Sequence, residues 1–451
     1  MEAHAVSKSD ISVNRTLALD AKPESIPPIG PSSVRVQPVL ISLTSNNLTY
    51  ARLGDALHWW DAYPAGKIIP QPLNDTETWQ QSGIVPAWGY AVVLESSTSI
   101  PQGTILWGYF PTSSGKVDLK LELRDVKRQW VETSEHRTKL MPIYNLYKEV
   151  DLPVVPSSDP PSFSEGQLTT MAFNALFKPV WEAGYLLNKH VFPQEPGVLT
   201  PMHPFGLNLE WTLADADLSS AVMIGFSASG KTARSFAYNL SKRPPPAGPL
   251  GLLQVTSSPK SIAEVEKHLN PAYATKVISY TDVFESLDWI ESLKPSKIIL
   301  LDFGSRENTT KKFYDVINAH PRFSSIKVIV IKIGSEQKAA LVENLTDETF
   351  LAMASNTVMF NTSAVQELAK ETQGAQSYYD QLEAAWNEYL ADRAMILPDI
   401  EIIWGEGVSG QNGIEAGWKR LCQGQVATHE DSTFIIVANN KAVSASKSQT
   451  K

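Results

Sequence analysis

Hydrophobic and polar positions change rhythm several times along the chain. Residues 1–30 are polar and rich in Ser and Pro, ending in Ile26-Pro27-Pro28-Ile29-Gly30-Pro31, which predicts a flexible, extended lead-in. From Val34 to about residue 150, short β-type runs alternate with Gly and Pro: 34–43, 90–95, 104–110 and 117–123. That spacing predicts a compact, mostly β domain. Between residues 163 and 190 apolar residues recur at helical intervals (Leu168, Met171, Ala172, Leu176, Val180, Trp181), so one or two helices are expected there.

From Ala221 the pattern becomes uniformly apolar runs separated by amphipathic stretches. Runs at 221–224, 251–255, 277–280, 298–301 and 326–331 alternate with helix-like segments ending near Leu240, Leu269, Leu293 and Ala319. Strands without polar alternation, each followed by a helix, are the mark of a parallel sheet buried on both faces. The remainder is mixed: 350–360, a helix at 375–393, a strand at 400–404, a helix at 414–422 and a strand at 434–438.

Composition narrows the function classes. At 451 residues, 43% hydrophobic and 19% charged, the chain can bury two cores. A net charge of -9 without a basic stripe lacks the footprint of a nucleic-acid partner. Cys422 is the single cysteine, which excludes an intramolecular disulfide or a thiolate cluster, and the eight His show no zinc-ligand spacing, so no metal is expected. No apolar run reaches the ~18–20 residues that span a bilayer, and the N-terminus lacks a signal pattern, so no membrane partner and a cytoplasmic location are the expectation.

The octapeptide Gly225-Phe226-Ser227-Ala228-Ser229-Gly230-Lys231-Thr232 follows a strand and opens a helix. Small residues at a helix start let amides approach a phosphate in the positive end of the dipole. Two readings are open. Taken literally it is a P-loop, with Lys231 on the outer phosphates, Thr232 on magnesium, and Asp302 at the end of an apolar strand as the magnesium-side acid. Taken as a dinucleotide loop, the end of the next strand faces the adenosine ribose, roughly 20 residues on. There the chain has Thr256, Ser257 and Lys260 instead of an acid, suited to the 2'-phosphate of NADP. Lys231 at a helix start is disfavoured by the dipole unless an anion is near.

The run 227–233 resembles the Ser-Ala-Ser-Ser-Lys-Thr-Ala turn of a fungal-rich family catalogued as a domain of unknown function, within the zinc-free medium-chain dehydrogenase/reductase superfamily. Val255-Thr256-Ser257, Leu43-Thr44-Ser45-Asn46-Asn47-Leu48-Thr49-Tyr50-Ala51, Trp88-Gly89-Tyr90, Trp107-Gly108-Tyr109-Phe110-Pro111 and the closing 415–424 segment share the likeness, which covers roughly residues 35–440. It implies an α/β chain with a GroES-like β-rich catalytic domain (31–184), a Rossmann cofactor domain (185–345) and a C-terminal return (346–451), with the ligand cleft between the domains. It implies NADP held by Ser227, Ala228, Ser229, Lys231, Thr232, Thr256, Ser257, Lys260 and Tyr280.

A zinc-free reductase needs a proton donor other than metal-bound water, and the candidates are the phenols of Tyr50 and Tyr109 or a water held by Asn47. Tyrosines in β domains are more often core residues with a bonded hydroxyl, and His58 and His136 read as surface groups. The expected function is NADPH-dependent reduction of an enone or ketone on a hydrophobic small molecule, plausible in specialised metabolism. A lyase or isomerase on the same fold, and a P-loop NTPase, are the alternatives.

Overall fold

The computed structural model describes residues 1–18, 27–65, 81–152, 161–195, 198–206, 209–334, 357–426 and 430–436. These fall into two compact units, one within Met1–Leu176 and Glu401–Lys451, the other within Phe177–Gln337 and Glu343–Ile400.

The first unit runs β1 (Glu2–Ser7), β2 (Asn14–Ala18), β3 (Ser33–Leu43), α1 (Ser45–Arg52), β4 (Ser82–Gly83), β5 (Pro86–Ser96), β6 (Ile105–Pro111), β7 (Val117–Leu123), β8 (Gln129–Glu132), β9 (Leu146–Val150) and α2 (Glu165–Leu176). The second continues with α3 (Lys178–Leu186), β10 (Ala221–Phe226), α4 (Lys231–Ser241), β11 (Gly251–Thr256), α5 (Pro259–Leu269), β12 (Ala274–Ser279), α6 (Leu287–Ser292), β13 (Lys297–Phe303), α7 (Thr309–Ala319), β14 (Lys327–Gly334), β15 (Thr357–Met359), α8 (Thr362–Gln373) and α9 (Ala375–Ala391). The chain then returns to the first unit as β16 (Glu401–Glu406), α10 (Ile414–Cys422) and β17 (Glu430–Ile435).

In the first unit, the described strands β3-β5-β6-β9-β8-β7 pair in that order, and β7 pairs back onto β3, closing a six-stranded barrel. Closure removes the open edge that a sheet of this size would otherwise expose. Two Trp-Gly-Tyr triplets lie opposite each other across β5 and β6: Trp88 faces Tyr109, Gly89 faces Gly108 and Tyr90 faces Trp107. The alternation of a strand puts the aromatics on one face and the glycines on the other. A Cβ at Gly108 would lie 2.4 Å from the Tyr147 ring, and one at Gly89 would lie 2.2 Å from the carbonyl of Leu40. Only glycine fits either position.

The second unit is a parallel sheet in the order β12-β11-β10-β13-β14-β15 with helices between strands. Ala221, Val222, Met223, Ile224 and Phe226 of β10 are all 0% exposed, which is why its sequence shows no alternation. The expected α/β class, a β-rich domain plus a Rossmann domain, is the observed one.

Three boundaries differ from expectation. The lead-in is ordered where it is described: β1 and β2 form an antiparallel pair. It is held against the far end of the chain, with Trp418 Nε1 donating to Ile11 O at 2.8 Å and Thr16 donating to Glu415. The second unit begins at Phe177, and α3 belongs to it. The return starts at Glu401, not 346, because β15 adds a strand to the parallel sheet and α8 and α9 bury Tyr378, Trp386 and Tyr389 within that unit. Residues 335–356 and the expected strand end at 437–438 lie outside the described residues.

His4 in β1 is fully buried, 5.6 Å from the Trp418 ring and 3.2 Å from Asn14 Oδ1. Burial pushes its imidazole from the ordinary 6.5 down to about 4. The unfolded chain therefore binds the proton first, and stability falls as pH drops from 6.5 toward 4, by about 3 kcal/mol from this group alone. Denaturant unfolding of wild type and His4→Gln across that range should show a shallower slope in the variant. Parallel curves would remove His4 as the cause.

Candidate active site

In the second unit β10 lies between β11 and β13, so successive connections leave in opposite directions at its carboxyl end. Such a switch point is where open α/β sheets bind ligands. Residues 227–230 connect β10 to α4, and the first intrahelical bond runs from Arg234 N–H to Gly230 O at 2.9 Å. The amides of Lys231, Thr232 and Ala233 thus have no intrahelical acceptor. Ser227 sits at φ 64°, the left-handed conformation that glycine takes freely. Ala228 N–H donates to Val255 O at 3.0 Å and Gly230 N–H to Ser227 O at 2.9 Å, tying the loop to β11 and to itself. Buried Ser229 gives its carbonyl to Arg234 Nε at 3.0 Å.

Arg234 is the pin of this corner. Its guanidinium is buried and binds Asp399 through two bonds, 3.0 and 2.5 Å, and Ser261 of α5 donates to the same carboxylate at 2.5 Å. Burial would raise the Asp399 carboxyl, but the Arg234 charge and the two donors outweigh it and hold it below 3.8. One carboxylate thereby joins the starts of α4 and α5.

The ribose-side residues sit at the end of β11. Thr256 is fully buried and accepts from Ser258 N–H at 3.1 Å, so its hydroxyl shapes the turn. Ser257 and Lys260 are exposed. Tyr280, after β12, comes to lie beside Ser227 and the backbone of Arg306. Burial raises its phenol and those neighbours pull it down, while its hydroxyl has no partner in good hydrogen-bond geometry. The structure thus joins Tyr280 to Ser227, and adds Arg306, a residue outside those expected here. Arg306 opens a turn after β13 in which Gly304, Glu307 and Asn308 all have positive φ, at 114°, 52° and 55°.

Two features depart from P-loop geometry. Lys231 lies over the Phe177 ring at 5.3 Å. Asp302 accepts from the N–H groups of Gly304 and Ser305 at 2.9 and 2.7 Å, so its carboxylate closes the β13 turn. Thr232, the half-buried second residue of α4, fits either reading.

In the barrel unit, Tyr50 and Tyr109 are brought together edge to face at 5.4 Å, with Tyr144 at 5.7 and 4.9 Å from them and Trp59 at 4.7 Å from Tyr50. Tyr144, in a Tyr144-Asn145-Leu146-Tyr147 stretch that shares the family likeness, was not among the expected donors. The Tyr109 carbonyl accepts from Tyr63 at 2.6 Å and Tyr147 at 2.7 Å, fixing the strand, and its own hydroxyl is buried without a partner. Burial pushes Tyr109 and Tyr144 well above an ordinary phenol. Tyr50, also raised by burial, has Trp88, Tyr144 and Asn46 opposing the rise. Asn47 is otherwise engaged: its Oδ1 accepts from Thr44 N–H at 2.7 Å, capping α1, and its Nδ2 donates to Pro86 O at 3.0 Å. Both ends of the Asn47 amide therefore have main-chain partners around α1. His58 pairs with Asp61 at 2.9 Å, and His136 lies in a short surface turn at 135–137.

A closed β-barrel unit and a Rossmann-like unit of six described parallel strands make the two-unit fold that the resemblance implied. The chain belongs to the family described as "Protein of unknown function (DUF2855)", whose model matches residues 41–427. No curated protein matches the sequence. Among solved structures it is similar to CurA in complex with NADPH from Vibrio vulnificus, at 9% identity over 98% of this chain and 100% of that one, with a TM-score of 0.50. It is also similar to a mutant enoyl thioester reductase from Candida tropicalis (11% identity, 96% and 99% covered, TM-score 0.50). A third is a mutant of Etr1p in complex with NADP and crotonyl-CoA (10% identity, 96% and 98% covered, TM-score 0.50). Identities this low speak for the fold alone. No group of metal-ligating side chains occurs among the described residues, and no described helix is long and apolar enough to cross a membrane.

Asp399→Asn leaves the buried Arg234 without its carboxylate and should cost about 2 to 3 kcal/mol in denaturant unfolding. Removing the exposed Lys311–Asp315 pair, 2.7 Å long, with Lys311→Ala should cost less than about 0.5 kcal/mol. Equal losses would show that the clamp is no more than a surface pair.

Proposed function

We propose that this protein is an NADPH-dependent oxidoreductase that reduces an enone or ketone on a hydrophobic small molecule. The observation that carries the reading is the Ser227–Gly230 loop at the switch point of a Rossmann sheet, followed on β11 by exposed Ser257 and Lys260 with no acid between them. It is supported by solved neighbours of this fold that were crystallised with NADPH or with NADP and crotonyl-CoA. Ser227, Ala228, Ser229 and the amides of Lys231 and Thr232 would hold the pyrophosphate, and Ser257 and Lys260 the 2'-phosphate. The unpartnered Tyr280 hydroxyl fits a ribose or phosphate oxygen beside them. NADPH, when bound, supplies the hydride.

The chain's own part is to place a proton. Tyr50 is the proposed donor because its phenolate has opposing donors around it, whereas Tyr109 is fully buried and braces the Tyr50 ring. Zinc plays no part in this reading, and the compartment is cytoplasmic, with a substrate from specialised metabolism.

Titration of the purified protein should give tighter binding of NADPH than NADH. Lys260→Ala should weaken NADPH by about 1 to 3 kcal/mol and leave NADH unchanged; equal losses would put the 2'-phosphate elsewhere. Tyr50→Phe should lower kcat by roughly 10²- to 10⁴-fold with unaltered NADPH affinity. Activity should survive chelation, and Mg-ATP should give no thermal stabilisation beyond that of a generic adenosine phosphate. Failure of both nucleotides to bind would turn the reading toward a lyase or isomerase.

A further inference from the structure

The nucleotide loop lies at the start of α4; a separate cavity lies at its end. An 11-residue helix spans about 16 Å, so the two are well apart within the same unit. The cavity, about 320 Å³, has Tyr185, Asn188 and Lys189 on one wall, Asn239, Lys242 and Arg243 on another, and Val198 and Leu199 at its mouth. That volume is at the lower end of small-molecule sites.

Its charge is unbalanced. Lys242 is already paired with Glu388 at 2.6 Å. Arg243, 5% exposed, donates among the described residues to the main-chain carbonyls of Asn188, Phe192 and Ala247, and burial lowers its pKa to about 10. Half-buried Lys189 has no carboxylate partner among the described residues, and burial lowers it as well. Its charge also helps to depress neighbouring His190, itself lowered mainly by burial. The one acid lining the cavity, Glu195, is exposed. Asn188, 7% exposed, carries a buried side-chain oxygen without a donor. Beside these polar groups, Val198 and Leu199 line the cavity as large apolar side chains, 76% and 42% exposed. Buried cations are ordinarily paired, and small-molecule sites combine apolar lining with a few placed polar groups.

We propose that this cavity binds a small amphipathic anion, an aliphatic carboxylate whose head meets Lys189 and Arg243 and whose chain lies along Tyr185 and Leu199. The site is independent of the reductase reading. The carboxylate supplies the counter-charge that Lys189 lacks, and the chain covers the apolar mouth.

Calorimetric titration of the full-length protein with decanoate and with decanol tests it. Decanoate should bind, and decanol, which has the chain without the charge, should bind at least about tenfold more weakly. Lys189→Met, which keeps an unbranched chain at a half-buried position, and Leu199→Asp, at an exposed one, should each weaken decanoate about tenfold or more while retaining the wild-type melting temperature without ligand. Decanoate binding that is absent, matched by decanol, or unchanged in Lys189→Met overturns the proposal; the last outcome would put the fatty acid in a different apolar site.

Discussion

The nucleotide end of the Rossmann unit depends on one ion pair. Arg234, in the first turn of α4, cannot sit buried without a counter-charge, and Asp399 supplies it from a segment 165 residues further along the chain. Because Ser261 and the Ser229 carbonyl join the same network, the carboxylate fixes the loop, the start of α4 and the start of α5 together. A site that discriminates phosphates must hold its amides still before the ligand arrives, since ordering them on binding would subtract from affinity. The pair costs desolvation and returns rigidity where the proposed cofactor needs it.

In the barrel unit the comparable constraint is steric. The facing glycines of the two Trp-Gly-Tyr triplets leave room on one side for Tyr147 and the β3 backbone, which lets Tyr63 and Tyr147 both reach the Tyr109 carbonyl. On the other side the same register stacks Trp88 on Trp107 at 4.8 Å and sets Tyr109 against Tyr50. A one-residue slip would exchange the two faces and bury side chains where only hydrogens fit. The aromatic cluster is therefore a consequence of strand register as much as of composition.

Most of the second unit was legible because its strands are buried on both faces and announce themselves as unbroken apolar runs; its helix 309–319 ends where expected, and in the first unit helix 414–422 coincides with its expected span. What escaped depends on partners distant in sequence. β2 is polar and half-exposed, and its order comes from pairing with β1 and from Glu415. α1 is short and polar, started by Thr44 and Asn47 capping each other, so it carried no apolar stripe to read. Residues 357–400 were assigned to the wrong unit because sequence order says nothing about which core a helix packs on. For the site, Ser257 and Lys260 could be placed by counting from the loop, whereas the meeting of Tyr280, Ser227 and Arg306 is produced only by the order of strands in the sheet.

The loop that begins at residue 227 gains a further meaning from its backbone. Ser227 holds the left-handed conformation that glycine adopts freely. Such a conformation costs a residue with a Cβ about 1 kcal/mol or more, and it persists only where the surroundings impose it. Here the surroundings are the bond from Ala228 to Val255 and the Arg234–Asp399 clamp behind the loop. Glu307 and Asn308 repeat the pattern at the end of the neighbouring strand β13. Strained, non-glycine residues thus gather at the carboxyl ends of β10 and β13, the two strands that meet at the switch point. At position 227 a serine holds the conformation that glycine favours, and it adds a hydroxyl that glycine lacks.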